Sequence, residues 1–194
     1  MALSAYIGLL ALIGAERIAE LLLSRRNARI AFSRGGVEAG AAHFRWMALV
    51  HALFLPACAL EAILRGHDVR RGHDVFVVSP GLSLAALALV VFAQALRWWA
   101  IASLGWRWNV RIIVVPDAPP VRSGPYRFVR HPNYIAVAVE MLCIPLVQGA
   151  WICAPVFSAL NALLLRVRIR DEERALGAPY LRAFAQVPRF IPHG

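Results

Sequence analysis

The chain is poor in charge: only 16% of its 194 residues are Asp, Glu, Lys or Arg, against 60% hydrophobic. That is too little to clothe a soluble surface, where charged residues make up about a quarter. It has no lysine, so its 21 basic residues are all arginine, and they outnumber 11 acidic ones for a net charge of +10. Cysteine is scarce. Cys58, Cys143 and Cys153 lie in apolar surroundings without metal-ligand spacing, which leaves them as packing residues and argues against a metal centre or a disulfide framework. No basic run precedes the first apolar segment and no small-residue cleavage pattern follows it, so the N-terminus reads as a retained span rather than a removed signal. No glycine-rich turn follows a strand, which gives no support to a soluble dinucleotide-type fold. The chain lacks repeated halves, which counts against many transporter architectures.

What is present is a set of apolar runs bordered by arginines. A membrane helix needs roughly 20 apolar residues. By that measure about five spans can be drawn: Leu3–Leu23, Phe44–Leu64, Leu82–Leu104, Tyr134–Val147 and Trp151–Val167. The last two are short and joined only by Gln148-Gly149-Ala150, the pattern of a tight helical hairpin. The expected fold is all-α and integral to the membrane, a single domain over 1–194. Its first three spans occupy 1–104, and 105–194 form a half with the hairpin and a polar tail. Arginines crowd the segments after the first, third and fifth spans, which predicts an outer N-terminus and a cytoplasmic C-terminus. Because the basic residues sit at the ends of apolar runs, they read as membrane-edge charges and not as a nucleic-acid surface.

Ionisable residues inside spans point to function or to mutual pairing. Glu16, Arg17 and Glu20 share neighbouring faces of the first helix, and Arg17 can pair with Glu20 three residues on. Arg97 is placed to snorkel, and His51 reads as a neutral packing histidine. Glu140 and Asn161 could bond across the hairpin. Trp98, Trp99, Trp106 and Trp108 read as an interfacial belt. Ile112–Val115 is a short β-like run stopped by Pro116. Gly66-His67-Asp68-Val69 recurs as Gly72-His73-Asp74-Val75, which reads as a solvated loop.

Two charged clusters bracket the hairpin. Arg130-His131-Pro132-Asn133-Tyr134 precedes it. Pro132 suits a first helical turn, whose free N–H groups attract a carboxylate or phosphate. The stretch reads two ways, as an anion-binding helix start or as a cap that anchors the helix at the interface. After the hairpin come Arg166, Arg168 and Arg170, then Glu172 and Glu173. Their spacing allows the pairs Arg168–Glu172 and Arg170–Glu173, or carboxylates left free to hold a cofactor's hydroxyls or amine.

These features resemble the isoprenylcysteine carboxyl methyltransferase family. The resemblance rests on Gly124-Pro125-Tyr126, Arg130-His131-Pro132-Asn133-Tyr134, the hairpin, Arg168-Ile169, Glu172-Glu173, Leu176, Tyr180 and the closing run from Val187 to Pro192. The N-terminal half, with Glu16-Arg17 and Ser24-Arg25-Arg26-Asn27, is similar to a bacterial branch that acts on long-chain phenolic or pyrone lipids. The resemblance implies a bacterial inner-membrane enzyme using S-adenosyl-L-methionine to O-methylate a lipid-like acceptor that arrives from the bilayer. It implies cofactor contacts from Tyr126, His131, Pro132, Tyr134, Glu172 and Glu173. Arg130, Arg168 or Arg170 would hold an acceptor carboxylate, or His131 or Glu173 would assist a phenol or enol. Alternatives are a phospholipid N-methyltransferase, a nicotinamide-dependent membrane reductase and, outside enzymes, a small transporter or structural subunit. One departure stands out. Ala136 replaces a glycine common two residues after the motif tyrosine, and its methyl narrows any backbone approach to the cofactor.

Overall fold

The structure, a computed structural model, describes residues 1–70 and 78–191. Five helices dominate: α1 (Leu3–Ser33), α2 (Ala41–Arg70), α3 (Pro80–Leu104), α4 (Pro132–Gln148) and α5 (Cys153–Ala183). Strand β1 (Val37–Ala39) follows α1, and β2 (Ile112–Val114) follows α3. The two strands pair antiparallel, with Glu38 opposite Ile113, so the expected β-like run does form a small ribbon. The first copy of the Gly-His-Asp-Val sequence continues α2 and is helix, not the loop expected, and the second copy lies outside the described residues.

Two helical stretches are long and apolar enough to cross a bilayer: Phe44–Gly66, with mean hydropathy 2.0, and Pro80–Arg107, with mean hydropathy 1.8. Only 22% and 33% of their apolar windows are buried inside the fold. A soluble core helix would bury its apolar face against protein. These helices instead turn leucine, valine and phenylalanine outward, which suits lipid.

The expected hairpin exists, with different bounds. Helix α4 has 17 residues, about 25 Å of helix, short of a 30 Å hydrocarbon core. It ends at Gly149, in the left-handed conformation at φ 74°. Helix α5 continues well past Val167, and the Glu61 carboxylate caps its start by accepting from the N–H groups of Ile152 (3.0 Å) and Cys153 (2.8 Å). Near its end α5 breaks at Gly177 (φ 69°, ψ −165°), a backbone conformation essentially reserved for glycine. The break turns the chain so that Tyr180 and Phe184 pack with Ala100, Tyr126 and Val187. A larger core joins Tyr6 of α1, Phe54 of α2, Val90 of α3, Ile144 of α4 and Phe157 of α5. Tyr6 donates to the Ile144 carbonyl (3.1 Å) and Ser83 to that of Val147 (2.7 Å), which ties α1 and α3 to the end of α4.

The charged residues of the spans form one interior network. Arg17 bonds Glu20 (2.9 Å) as the spacing predicts, and also Gln94 (3.0 Å). Arg97 does not snorkel: it is buried and bonds Glu140 through both nitrogens of one edge, the Nε contact at 3.1 Å. Glu140 is thereby spent on Arg97 rather than on Asn161. A buried bidentate ion pair satisfies more hydrogen-bonding groups than a single amide contact.

Candidate active site

Helix α4 starts where three separate segments meet. The 3₁₀ turn Gly124–Arg127 packs against α3, and Gly124 at φ 59° makes this possible. A Cβ there would come within 2.0 Å of Ser103 Oγ. The turn buries Tyr126 and leads through Val129 to Arg130 and His131. The backbone N–H groups of Arg130 and His131 donate to the carbonyls of Pro188 (2.9 Å) and Arg189 (3.3 Å). These two donors, which precede the first turn of α4, are occupied by the tail. The N–H groups of Tyr134 and Ile135 bond the His131 carbonyl in the first turn.

Glu173 is the hub behind this clamp. Its carboxylate accepts from Arg189 Nε (3.0 Å) and Nη2 (2.6 Å) and from His131 Nε2 (3.2 Å), with Arg130 Nη1 at 3.9 Å. Burial pushes its carboxyl upward, but the hydrogen bonds from Arg189 and His131 more than offset this and hold it below the ordinary 4.5. Arg130 Nε also donates to the Val187 carbonyl (2.6 Å). The pair Arg170–Glu173 that spacing allows is replaced by these contacts from the tail.

In front of the hub, Tyr134 donates to Glu172 and accepts from Arg168 Nε (2.8 Å). The rings of His131 and Tyr134 stack, 5.2 Å apart and 13° from parallel. Arg168 also donates to the Val110 carbonyl (2.7 Å) and touches Met47 Sδ (3.3 Å). It is 7% exposed, yet no carboxylate lies within ion-pair distance of it among the described residues. The Arg168–Glu172 pair that spacing allows is bridged by the Tyr134 hydroxyl.

These residues face a cavity of about 590 Å³, within the roughly 300–1,000 Å³ of small-molecule sites. Tyr126, Arg130, His131, Tyr134, Arg168 and Glu172 line it. Pro132 and Glu173 do not: Pro132 is fully buried in the helix start, and Glu173 stands behind His131. Ala136 is likewise buried and lines neither cavity, so its methyl packs inside the helix bundle. Burial pushes the hydroxyls of Tyr126 and Tyr180 up, and the Glu172 carboxylate adds to the effect, so both phenols stay protonated.

A second, more apolar cavity of about 260 Å³ lies among α1, α2, α4 and α5. Trp108, Asn109, Asn133, Tyr134 and Arg168 line both spaces, so one wall separates them. That wall is pinned from α1: Asn27 donates to the carbonyl of Trp108 (2.8 Å), and Ser24 bonds Asn109 Oδ1 (2.9 Å) and the N–H of Val110 (3.1 Å). Asn109 Nδ2 and Asn133 Oδ1 are buried and have no hydrogen-bond partner. The sequence reading missed the wall. Trp108 is 3% exposed, no part of an interfacial belt, although Trp98 and Trp99 do face outward. The signal was there in Ser24 and Asn27, two polar residues one helical face apart at the end of an apolar run.

Residues 86–178 match the sequence model of the isoprenylcysteine carboxyl methyltransferase family, a span that contains α4, most of α5 and much of the wall. The uncharacterized protein YpbQ of Bacillus subtilis is 38% identical over 168 residues, covering 87% of this chain and 94% of that protein. An uncharacterized protein of Haemophilus influenzae is 28% identical over 163 residues, covering 84% of this chain and 89% of its own length. With its apolar helices, the polar cavity at the start of α4 and this match, the chain belongs to the isoprenylcysteine carboxyl methyltransferase family of membrane methyltransferases.

Proposed function

We propose that this membrane methyltransferase takes its methyl group from S-adenosyl-L-methionine and passes it to an oxygen of a lipid-like acceptor. The larger cavity holds the donor and the smaller one the acceptor's head, with the larger cavity facing the cytoplasm of a bacterial cell. The observation that carries the reading is Arg168, a buried cation with no carboxylate in direct contact, in the wall shared by both cavities. Its charge is met by the Tyr134 hydroxyl, the Val110 carbonyl and, through Tyr134, Glu172, which leaves an anionic or strongly polar ligand atom favoured beside it. An amine acceptor would meet a like charge there, which weighs against N-methylation.

The polar groups fit the donor. Glu172 is a carboxylate on the cavity for ribose hydroxyls or an ammonium, and the stacked His131 and Tyr134 offer flat faces to a purine. Asn109 Nδ2 and Asn133 Oδ1 are an orphaned donor and acceptor, each wanting a partner. When bound, S-adenosylmethionine supplies a methyl carbon on a sulfonium that departs as a neutral thioether. The protein's own work is then placement. Arg168 steers the acceptor oxygen, the Asn109–Asn133 wall sets its line of approach, and the apolar lining keeps water out. Holding reactants near 3–3.5 Å in line is worth about 7–11 kcal/mol of barrier in well-oriented systems. Arg130 and Glu173 act at one remove, by fixing His131 and the tail.

Titration calorimetry of the purified protein in lipid nanodiscs with S-adenosylhomocysteine tests the donor site. Glu172→Ala should weaken binding by about 1.5–3 kcal/mol, roughly 10- to 150-fold. Product mass identifies the chemistry: an added methylene is expected, and a gain of two hydrogens would mean a reductase. No affinity of the wild type for S-adenosylhomocysteine or S-adenosylmethionine would end the reading.

A further inference from the structure

The smaller cavity is apolar for most of its lining, including Leu21, Phe44, Val137 and Leu164. Its charged groups on α1 and α3 are already engaged, since Arg17, Glu20 and Arg97 bond one another or Glu140. Besides Asn109 and Asn133, two further polar side chains on the cavity have bonding capacity to spare. Asn161 of α5 is 2% exposed and has no hydrogen-bond partner among the described residues. His51 of α2 has one partner only, the Met47 carbonyl at 2.8 Å from Nδ1.

That single contact fixes the chemistry of the ring. A carbonyl oxygen can only accept, so Nδ1 carries the hydrogen. In the neutral imidazole Nε2 then has an open lone pair. Met47 ties the two parts of the cavity together, because its carbonyl holds His51 while its sulfur touches Arg168. The charges facing the ring are Arg17 and Glu20 from α1, Arg97 from α3, Glu140 from α4 and Arg168 from α5. The cavity thus offers a proton acceptor and an unsatisfied amide inside an oily space, with a cation in its wall.

We infer that His51 is the general base of this site, taking the proton of the phenolic or enolic hydroxyl that the resemblance to the bacterial branch already implies for the acceptor. The inference rests on the methyl-donor reading above. A carboxylate acceptor brings no hydrogen for Nε2 and sets lone pair against lone pair, and it needs no base. A hydroxyl donates to Nε2, and Asn161 can donate to the same or a neighbouring oxygen. In the transfer the O–H bond breaks and its proton passes to Nε2. The oxygen pair forms the bond to the methyl carbon, and the carbon–sulfur bond breaks with its pair retained on the donor's sulfur. Charge balances: the positive charge of the sulfonium reappears on the imidazolium and is given up to solvent after release.

The test uses the full chain in nanodiscs and two acceptors, a long-chain alkylphenol and its dinitro-substituted analogue, which is ionised at neutral pH. His51→Ala and His51→Gln are compared with the wild type, and S-adenosylhomocysteine binding reports an intact donor site. On the alkylphenol the variants should lose about 10²–10⁴-fold in rate, the usual worth of a positioned base. On the dinitrophenol they should keep most of it, because no proton remains to be removed. Equal losses on both acceptors, or none on either, would overturn the role of His51, as would loss of donor binding in both variants. Methylation by the wild type of a fatty carboxylate but of neither phenol would overturn the acceptor class while leaving the donor site standing.

Discussion

Replacing Glu173 by glutamine tests whether the tail is a working part of the site. The change keeps the shape of the side chain and removes its charge. Its contact with His131 is buried, the two side chains being 9% and 2% exposed. A charge-assisted bond there is worth about 1.5–3 kcal/mol. The Arg189 side chain is 56% exposed, so solvent screens its share to about 0.2–1 kcal/mol. Together the two contacts should weaken the closed arrangement of α4, α5 and the tail by about 2–4 kcal/mol, roughly two orders of magnitude in its equilibrium. Hydrogen exchange reads this directly, since the amides of Arg130 and His131 are protected by carbonyls of the tail. Both should exchange faster in Glu173→Gln, and affinity for S-adenosylhomocysteine should fall in step. The pH dependence has a definite sign. Glu173 is held below its ordinary 4.5, so its stabilisation is complete above that value and is lost as pH falls through the lower, folded-state value. The variant should lose this acid-sensitive component. Unchanged exchange at Arg130 and His131, with unchanged affinity, would refute the clamp.

Three further outcomes follow from the geometry. Gly124→Ala combines a positive φ with a contact at 2.0 Å to Ser103 Oγ, and should cost about 1–3 kcal/mol in unfolding from detergent, with Ser103→Ala relieving the clash but not the backbone strain. Glu140→Gln leaves Arg97 buried beside an uncharged partner and should cost about 3–5 kcal/mol in the same assay, most of it recovered when Arg97 is also made Met. Arg168→Lys loses the planar fork that reaches Tyr134 and Val110 together, and should raise the acceptor KM or lower kcat at least tenfold while S-adenosylhomocysteine still binds.

Much of the helical plan was legible in the sequence because lipid imposes length and apolarity on each helix. Phe44 and Leu82 mark, within a few residues, where apolar helix begins. The clustering of Tyr134, Arg168 and Glu172 was also within reach, since a tight hairpin must return its far end to its start. What the chain order hid was partner choice. Local spacing offered Glu173 to Arg170 and Glu172 to Arg168, yet the structure gives Glu173 to Arg189 and puts the Tyr134 hydroxyl between Arg168 and Glu172. Partners from distant segments displace the local ones: Glu173 takes His131 and an arginine of the tail that the Gly177 break folds back. Arg97 and Glu140 were hidden for the same reason, because a pair formed between two helices leaves no periodic trace in either.

The division of labour along the chain follows from where its polar groups are satisfied. Around the start of α4 the charges close on one another: Arg130, His131, Glu173 and Arg189. Arg168 stands apart from that cluster, and its contacts lead outward to Met47 on α2 and to the Val110 carbonyl, which Ser24 of α1 helps to hold. The N-terminal helices therefore do more than anchor the protein. They supply Leu21, Phe44 and His51 to the smaller cavity and fix the wall between the two spaces. A change of acceptor between relatives should then be written in α1 and α2, at positions facing that cavity, while the residues around Glu173 stay committed to the donor side.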